Sequence, residues 1–222
     1  MERHFDEELL NLKHELLRMA DLAQEMIRLS VKALAERNEE HAKKVLEIEE
    51  TVNRMEVEVE EEVLRLLVIR QPAAKDLRFL TAISKISNDL ERVADQACNI
   101  SQTVHYILQE PPLRSALVDI PSMTDLVQKM VRDSIEAFVK HDQVLAKAVC
   151  ERDDKVDLIN EQIFRVLLTH MMEDPKNITR AVDFILVSRN LERIADHATN
   201  ISEEVIFIEE GINIKHHSAE SV

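Results

Sequence analysis

The segment Leu90-Glu-Arg-Val-Ala-Asp-Gln-Ala-Cys-Asn-Ile-Ser101 decides the fold of this protein, because it occurs twice. Its second copy is Leu191-Glu-Arg-Ile-Ala-Asp-His-Ala-Thr-Asn-Ile-Ser202, and nine of the twelve positions are identical at a constant offset of 101 residues. In both copies the apolar residues recur at steps of three and four, which is the spacing of one face of an α-helix. The repeat therefore predicts two similar helical halves.

The composition favours helices along the rest of the chain as well. The 222 residues include one glycine, five prolines and no tryptophan, while 45% are hydrophobic and 32% are charged. A single glycine, Gly211, cannot supply the turns of a β or α/β fold or the glycine-rich loops of Rossmann and P-loop nucleotide sites. Abundant leucine, glutamate, alanine, arginine and lysine are typical of long helices. We predict an all-α protein.

The charge and the cysteines exclude several other classes. With 28 Lys and Arg against 43 Asp and Glu, the net charge is −15, and 3% of the residues are aromatic. Such a chain lacks the cationic surface and the stacking platforms that nucleic acids require, so we expect no nucleic-acid partner. Cys98 and Cys150 form no CxxC pair, which argues against a zinc knuckle, and we expect Cys98 on the polar side of its helix.

The sequence also predicts no membrane insertion. The first residues, Met1 to Glu8, are acidic where a signal peptide would be basic and then apolar. A membrane span needs about 20 consecutive apolar residues, and we find no such stretch. We expect a cytoplasmic location.

Prolines divide the helical pattern into six helices. Gln71-Pro72 separates the second helix from the third, and Asp174-Pro175 separates the fifth from the sixth. The predicted helices are about Leu9–Arg37, Glu40–Ile69, Ala73–Gln109, Thr124–Lys140, Val144–Met172 and Lys176–Glu210. They predict a tandem repeat of two elongated three-helix bundles. The predicted domains are a first repeat 1–110, a proline-rich linker 111–121, a second repeat 122–211 and a C-terminal tail 212–222.

Each copy of the repeat carries a polar stripe that bundle packing does not require. Glu91, Asp95 and Asn99 follow one another at steps of four along one side of their helix, away from the expected core face. The second copy keeps the same residue types: Glu192, Asp196 and Asn200. Carboxylates one turn apart repel each other, and a hard cation with oxygen ligands would relieve that repulsion. The stripe is either a metal-binding surface or an ordinary solvated face.

A second acidic stripe precedes the first one in each half. Asp153 and Asp157 lie on the predicted fifth helix, and Glu49 and Asn53 take the matching places on the second. If neighbouring helices are antiparallel, the four carboxylates of the second half converge on one surface patch. Because Asn53 replaces an acid, we expect the second half to bind a cation more tightly. His197 is a further candidate ligand, although its counterpart in the first copy is a glutamine.

These segments resemble the PhoU family of phosphate-uptake regulators. Arg70-Gln-Pro-Ala-Ala-Lys-Asp-Leu-Arg78, followed by Asn88-Asp-Leu-Glu-Arg-Val-Ala-Asp95, resembles the first-repeat signature of the family, and the segment from Asn190 to Ile201 resembles its second. The resemblance extends over residues 5–211. It implies two three-helix bundles related by pseudo-symmetry.

The resemblance also implies metal sites on the bundle surface. Members of the family carry E/DxxxD motifs that bind metal clusters, with iron or zinc in some members, and other divalent cations are alternatives. In this chain the motif positions are Glu49 with Asn53, Glu91 with Asp95, Asp153 with Asp157, and Glu192 with Asp196. Asn53 departs from the motif, because a neutral amide replaces the second acid.

The function that the resemblance implies is regulatory and not enzymatic. It is negative regulation of the phosphate-starvation response, exerted by coupling a phosphate-specific ABC transporter to a sensor histidine kinase. The protein would act as a homodimer in the cytoplasm or at the inner face of the membrane. None of this follows from composition or spacing.

Two other classes stay open from the residues themselves. A carboxylate-bridged di-iron oxidase on a helical bundle needs Glu-x-x-His motifs, and none of the nine histidines has a glutamate three residues before it. A structural helical adaptor without metal is the other alternative, although regular proline breaks and a duplicated acidic stripe are unusual for a coiled-coil spacer. The pattern contains no candidate nucleophile for hydrolysis.

Overall fold

A computed structural model describes residues 2–112 and 119–211 of the chain, with side chains from residue 5 onward. These residues form seven α-helices and no strand. The helices are α1 (Glu2–Glu36), α2 (Glu39–Arg70), α3 (Ala74–Gln109), α4 (Ile120–Lys140), α5 (Gln143–Cys150), α6 (Asp153–Glu173) and α7 (Ile178–Glu210). A short 3-10 helix, Pro175–Asn177, precedes α7. The all-α prediction is confirmed.

The predicted fifth helix is interrupted once, by a turn at Glu151 and Arg152 that separates α5 from α6. The run from residue 151 to residue 155 is entirely charged, so no apolar side chain holds a continuous helix on the core there. Asp153 and Asp154 favour a new helix start, because carboxylates stabilise the positive N-terminal end of a helix. Arg152 forms an ion pair with Asp133 of α4, which holds the turn against the bundle.

The prolines end and begin helices for local reasons. After α2, Gln71 adopts a left-handed backbone with φ 46° and donates its N–H to the Leu67 carbonyl, and Pro72 then prevents the helix from continuing. α4 begins at Ile120, four residues before the predicted Thr124. Pro121 is tolerated there because the first turn of a helix has no carbonyl partners for its N–H groups.

The helices pack as two bundles joined along their central members. α1, α2 and α3 contact one another and form the first bundle, whereas α4, α5, α6 and α7 form the second, in which α5 and α6 together take the place of one helix. α3 and α7 pack against each other, and α1 contacts α4. The predicted architecture of two three-helix bundles is confirmed.

The core is apolar and continuous through both bundles. The inward positions predicted for α2 are buried: Val52, Met55, Val59, Val63 and Leu66. The largest fully buried side chains include Leu16 and Met26 of α1, Phe138 of α4 and Phe184 of α7. Phe138 also stacks on Phe79 of α3 with ring centroids 5.8 Å apart, so an aromatic pair joins the two bundles.

Within the described residues, no helix is both long enough and apolar enough to cross a membrane. The predicted linker falls largely on residues 113–118, and the predicted tail falls on residues 212–222. Both segments lie outside the described residues, so the proposed domain boundaries stay a prediction.

Truncation of the repeated leucine tests the central position of α3. Leu90 is fully buried, so Leu90→Ala removes apolar contacts and leaves a cavity, and we expect a loss of about 2–5 kcal/mol in the free energy of unfolding. The matched control is Leu158→Ala, because Leu158 of α6 is 65% exposed; there we expect a change within about 0.5 kcal/mol. Urea unfolding followed by circular dichroism measures both, and equal losses would contradict the assigned packing.

Candidate functional site

The second half brings its four predicted acids together at one place on the surface. Asp153 begins α6 and Asp157 lies one turn later, while Glu192 and Asp196 lie one turn apart on α7. α6 and α7 contact each other along their length, and the four carboxylates interact electrostatically. We call Asp153, Asp157, Glu192 and Asp196 the second cluster. The four carboxylates are close enough to repel one another, and their role as metal ligands stays a prediction.

Crowding and burial raise the pKa values of this cluster. Burial, followed by repulsion from Asp196 and Asp157, raises the pKa of Asp153 to about 6. Burial and the same two neighbours raise the pKa of Glu192, although Arg189 and Arg193 oppose the change. The pKa of Asp196 is raised first by burial and then by Asp157. Negative charge at this place is therefore energetically unfavourable without a cation.

Two observations indicate that the second cluster is only partly compensated, although the charges of Arg189 and Arg193 act on it. Among the described residues, none of its four acids has a Lys, Arg or His partner within 4 Å. The Oδ1 atom of Asp153 is buried and accepts no hydrogen bond. A buried carboxylate oxygen without a donor loses the solvation that it had in water, and a metal ion could replace that solvation.

The first half assembles a similar but not identical set of groups. Burial, repulsion from Asp95 and the charges of Glu56 and Glu49 raise the pKa of Glu91, whereas Arg92 opposes the change. The Oε2 atom of Glu91 is buried and accepts no hydrogen bond from a described residue, although the Arg92 guanidinium lies 3.5 Å from it. We call Glu49, Glu56, Glu91 and Asp95 the first cluster. Here Arg92 lies 3.5 Å from Glu91 and 3.6 Å from Asp95, so part of the charge is already balanced.

Glu56 is the residue that sequence analysis missed. It lies three positions after the exposed Asn53 on α2, and its counterpart in the second half is Asn160. The first half thus carries its second α2 acid one helical turn later than the motif predicts, and each half has four carboxylates. A search for Glu or Asp at three- and four-residue steps around Glu49 would have found it. The two halves therefore differ less in charge than the presence of Asn53 predicted.

Cys98 borders the first cluster, and its predicted exposure was wrong. The side chain is 2% exposed. Burial, a hydrogen bond to Glu49 and the charges of Glu49 and Asp95 raise the pKa of the Cys98 thiol, so the thiol is protonated at neutral pH. Cys98 is buried because α3 packs on several sides, and the sequence pattern of one helix does not reveal its number of neighbours.

His197, a candidate metal ligand in the sequence, forms a hydrogen bond with Asp89 of α3. Its Nδ1 atom lies 2.9 Å from Oδ1 of Asp89, and the Nδ2 amide of Asn200 donates to the same oxygen at 3.2 Å. Asp89 belongs to α3 and the other two residues to α7, so these hydrogen bonds join the two bundles. Asn200 thus belongs to this link and not to the second cluster.

In neither cluster do the described side chains surround a common centre. Within 2–112 and 119–211, no three His, Cys, Asp or Glu side chains are arranged closely enough to enclose an ion. Binding would therefore require rotation of exposed carboxylates such as Asp157 and Asp196 towards the buried oxygen of Asp153. The donor set consists of carboxylate oxygens, and in each half one of them is buried without a hydrogen bond from a described residue, which fits a hard or borderline divalent cation.

This combination of fold and sites defines a class, the tandem-repeat helical bundles with one carboxylate cluster in each half. The model of the PhoU domain matches residues 16–104 and 120–205, which include both bundles and all eight acids of the two clusters. The chain belongs to the PhoU domain family.

Relatives and solved structures agree with that assignment over nearly the whole chain. A phosphate-specific transport system accessory protein PhoU homolog of Aquifex aeolicus is 41% identical over 94% of this chain and 94% of its own length. The homolog of Pseudomonas putida is 39% identical over 96% of this chain and 84% of its own length. The crystal structure of PhoU from Pseudomonas aeruginosa superposes with a TM-score of 0.91 at 38% identity, over 94% of this chain and 100% of that one.

The raised pKa of Asp153 predicts how the stability of the metal-free protein depends on pH. Its pKa is about 6 in the folded state and about 3.9 in an unfolded chain, so between these values the folded state binds more protons. Stability therefore falls as pH rises towards 6 and this contribution is constant above it. Asp153→Asn removes that contribution, which we expect to be on the order of 1 kcal/mol because solvent screens part of the effect.

The measurement is urea unfolding of both proteins between pH 5 and pH 7.5 in the presence of a chelator. The difference between Asp153→Asn and wild type should grow as pH rises through 6. Asp125→Asn, a change at an exposed residue of α4 outside both clusters, is the control and should leave the pH dependence as in wild type. Parallel pH curves for Asp153→Asn and wild type would show that Asp153 titrates normally.

Proposed function

We propose that this chain is a non-enzymatic regulator of phosphate homeostasis. The observation that carries the proposal is its similarity, over 94–96% of its length, to proteins named as accessory proteins of the phosphate-specific transport system. A solved structure with a TM-score of 0.86 at 27% identity is described as the phosphate transport system regulatory protein PhoU from Streptococcus pneumoniae. We infer that the chain serves the same kind of system.

The finer role that we propose is negative regulation of the phosphate-starvation response. The protein would couple a phosphate-specific ABC transporter to a sensor histidine kinase, acting as a homodimer in the cytoplasm or at the inner face of the membrane. An adaptor needs extended surfaces and not a catalytic constellation. Two bundles with long exposed helices supply such surfaces.

We further propose that both clusters bind metal, with iron or zinc as the first candidates. Asp153, Asp157, Glu192 and Asp196 would hold an ion between α6 and α7, and Glu49, Glu56, Glu91 and Asp95 would hold one between α2 and α3. Bound there, the ion supplies positive charge that relieves carboxylate repulsion. Each site would thereby fix an outer helix to a central helix of its bundle.

The second cluster should be the tighter of the two sites. Its acids have no ion-pair partner within 4 Å in the described part of the chain. In the first cluster, by contrast, Arg92 lies near Glu91 and Asp95, and the Cys98 thiol donates a hydrogen bond to Glu49. A metal ion at the first cluster must displace both interactions. The number of acids does not separate the two sites, because Glu56 gives the first cluster four carboxylates as well.

Deletion of the gene tests the regulatory proposal. In phosphate-replete medium, cells that lack the protein should express phosphate-scavenging genes, measured as alkaline phosphatase activity, at a level near that of starved cells. Wild-type protein supplied from a plasmid should restore repression. Normal repression in the deletion strain, with no second copy of the gene present, would overturn the proposal.

Paired alanine variants test the metal proposal. Glu192→Ala with Asp196→Ala should abolish most of the metal that the protein retains after loading with iron(II) or zinc and desalting, because it removes two of four ligands. The matched variant in the other half is Glu91→Ala with Asp95→Ala, which should remove a smaller and more weakly bound fraction of the retained metal. Elemental analysis gives the stoichiometry, and circular dichroism should show unchanged helical content in both variants.

Unchanged stoichiometry in both variants would identify the two stripes as ordinary solvated faces. Loss from the first-half variant alone would reverse the order of affinity that the ion pairs of Arg92 predict.

A further inference from the structure

A groove between α6 and α7 lies beside the second cluster. Its volume is about 380 Å³, and its lining includes the side chains of Phe164 and Ile185. Three carboxylates line it as well, Glu161 together with Asp157 and Glu192 of the second cluster. We call this space the second groove. It combines an apolar floor with an acidic rim.

The first bundle contains a corresponding groove, and its lining is polar. α2 aligns with α6 at an offset of 104 residues, as Glu49 does with Asp153, and α3 aligns with α7 at 101. The counterparts of Phe164 and Ile185 are Glu60 and Ser84, and both line a space of about 460 Å³ between α2 and α3. The same position in the fold is therefore apolar in one half and polar in the other.

Apolar residues in and next to the second groove are exposed. Phe164, which lines the groove, is 48% exposed; on α7, outside the lining, Leu186 follows the half-buried lining residue Ile185 and is 45% exposed, and Val182 one turn earlier is 43% exposed. In the first half the equivalents of Leu186 and Val182 are a lysine and a threonine, and the bundle still forms. Folding does not account for these residues, and contiguous exposed apolar side chains mark interaction surfaces.

The charge of the lining indicates what kind of molecule the second groove fits. Three carboxylates face one guanidinium, that of Arg189, so the lining is acidic overall. A second copy of this chain, with a net charge of −15, would bring like charges together at this place. An occupant of opposite charge gains electrostatic attraction at the rim while its apolar side chains cover the floor.

We propose that the second groove docks an amphipathic helical segment of a protein partner. The segment carries apolar side chains at steps of three and four, which lie on Phe164 and Ile185. Lysine or arginine at its flanks pairs with Glu161 and with the net negative charge that the second cluster keeps when its four carboxylates hold one divalent ion. A shallow trough between two antiparallel helices suits a third helix laid along it. The proposal rests on the proposed function for its biological setting only.

Site-specific photocrosslinking in the native host tests this inference. Asn160 lines the second groove and Asn88 lines the first, and neither belongs to a carboxylate cluster, so p-benzoylphenylalanine is placed at one or the other position of the full-length protein. We expect crosslinks from position 160, at least tenfold more abundant than from position 88. Mass spectrometry of the crosslinked peptide should identify a segment with apolar residues at three- and four-residue steps and at least two flanking lysines or arginines.

A repeat-swap variant supplies the specificity control. Phe164→Glu with Ile185→Ser gives the second groove the residues of the first and leaves the acids of the second cluster in place. In this variant the crosslink from position 160 should fall at least tenfold, with helical content and metal stoichiometry unchanged. The inference would be overturned if position 160 gave no crosslink, or if both positions crosslinked equally. It would also be overturned if the crosslinked molecule were a copy of this chain or a small molecule, or if the swap variant crosslinked as wild type does.

The results separate this inference from the proposed function. If deletion of the gene leaves repression intact while the groove still crosslinks a basic amphipathic segment, the regulatory proposal fails and the docking surface stands. If deletion derepresses the scavenging genes while the swap variant crosslinks as wild type does, the docking surface fails and the regulatory proposal stands.

Discussion

The packing of α3 against α7 is the contact on which the rest of this structure depends. Both helices carry fully buried alanines within the repeated segment, for example Ala97 and Ala198, and small side chains permit close approach of two helices. Polar groups fix the register: Asp89 accepts hydrogen bonds from α7, and Lys85 lies 3.1 Å from the almost fully buried Glu204. With the two central helices placed together, each bundle has one outer face left for its acidic stripe.

That arrangement explains why the carboxylates are both crowded and partly buried. On α7 and α3 the acids lie beside a neighbouring helix, α6 or α2, whose own acids face them. Repulsion and lost solvation then act on the same groups, and the pKa values of Asp153, Glu192 and Glu91 rise. The cost is tolerated because the apolar core of two bundles holds the helices in place.

The tandem repeat supplies an internal comparison that a single domain lacks. Positions that keep an acid in both halves, such as Glu91 and Glu192, indicate a requirement common to both bundles. Positions that differ, such as Glu60 and Phe164, occupy equivalent places in the fold and so are not dictated by packing. The carboxylate clusters consist largely of positions that keep an acid in both halves, whereas the lining of the grooves differs between the halves. One half of the molecule has thus acquired a surface chemistry that the other half does not share.

The sequence by itself determined the helices, the tandem repeat and most of the carboxylates, because apolar periodicity, proline breaks and a near-identical internal copy are read directly from the order of residues in the chain. It did not determine the turn at residues 151–152, where an ion pair with α4 helps to set the end of a helix. It did not reveal the burial of Cys98, the membership of Glu56 in the first cluster or the link from His197 to Asp89. Each of these depends on which helix lies opposite, and the approach of two helices distant in sequence is decided only when the whole core packs.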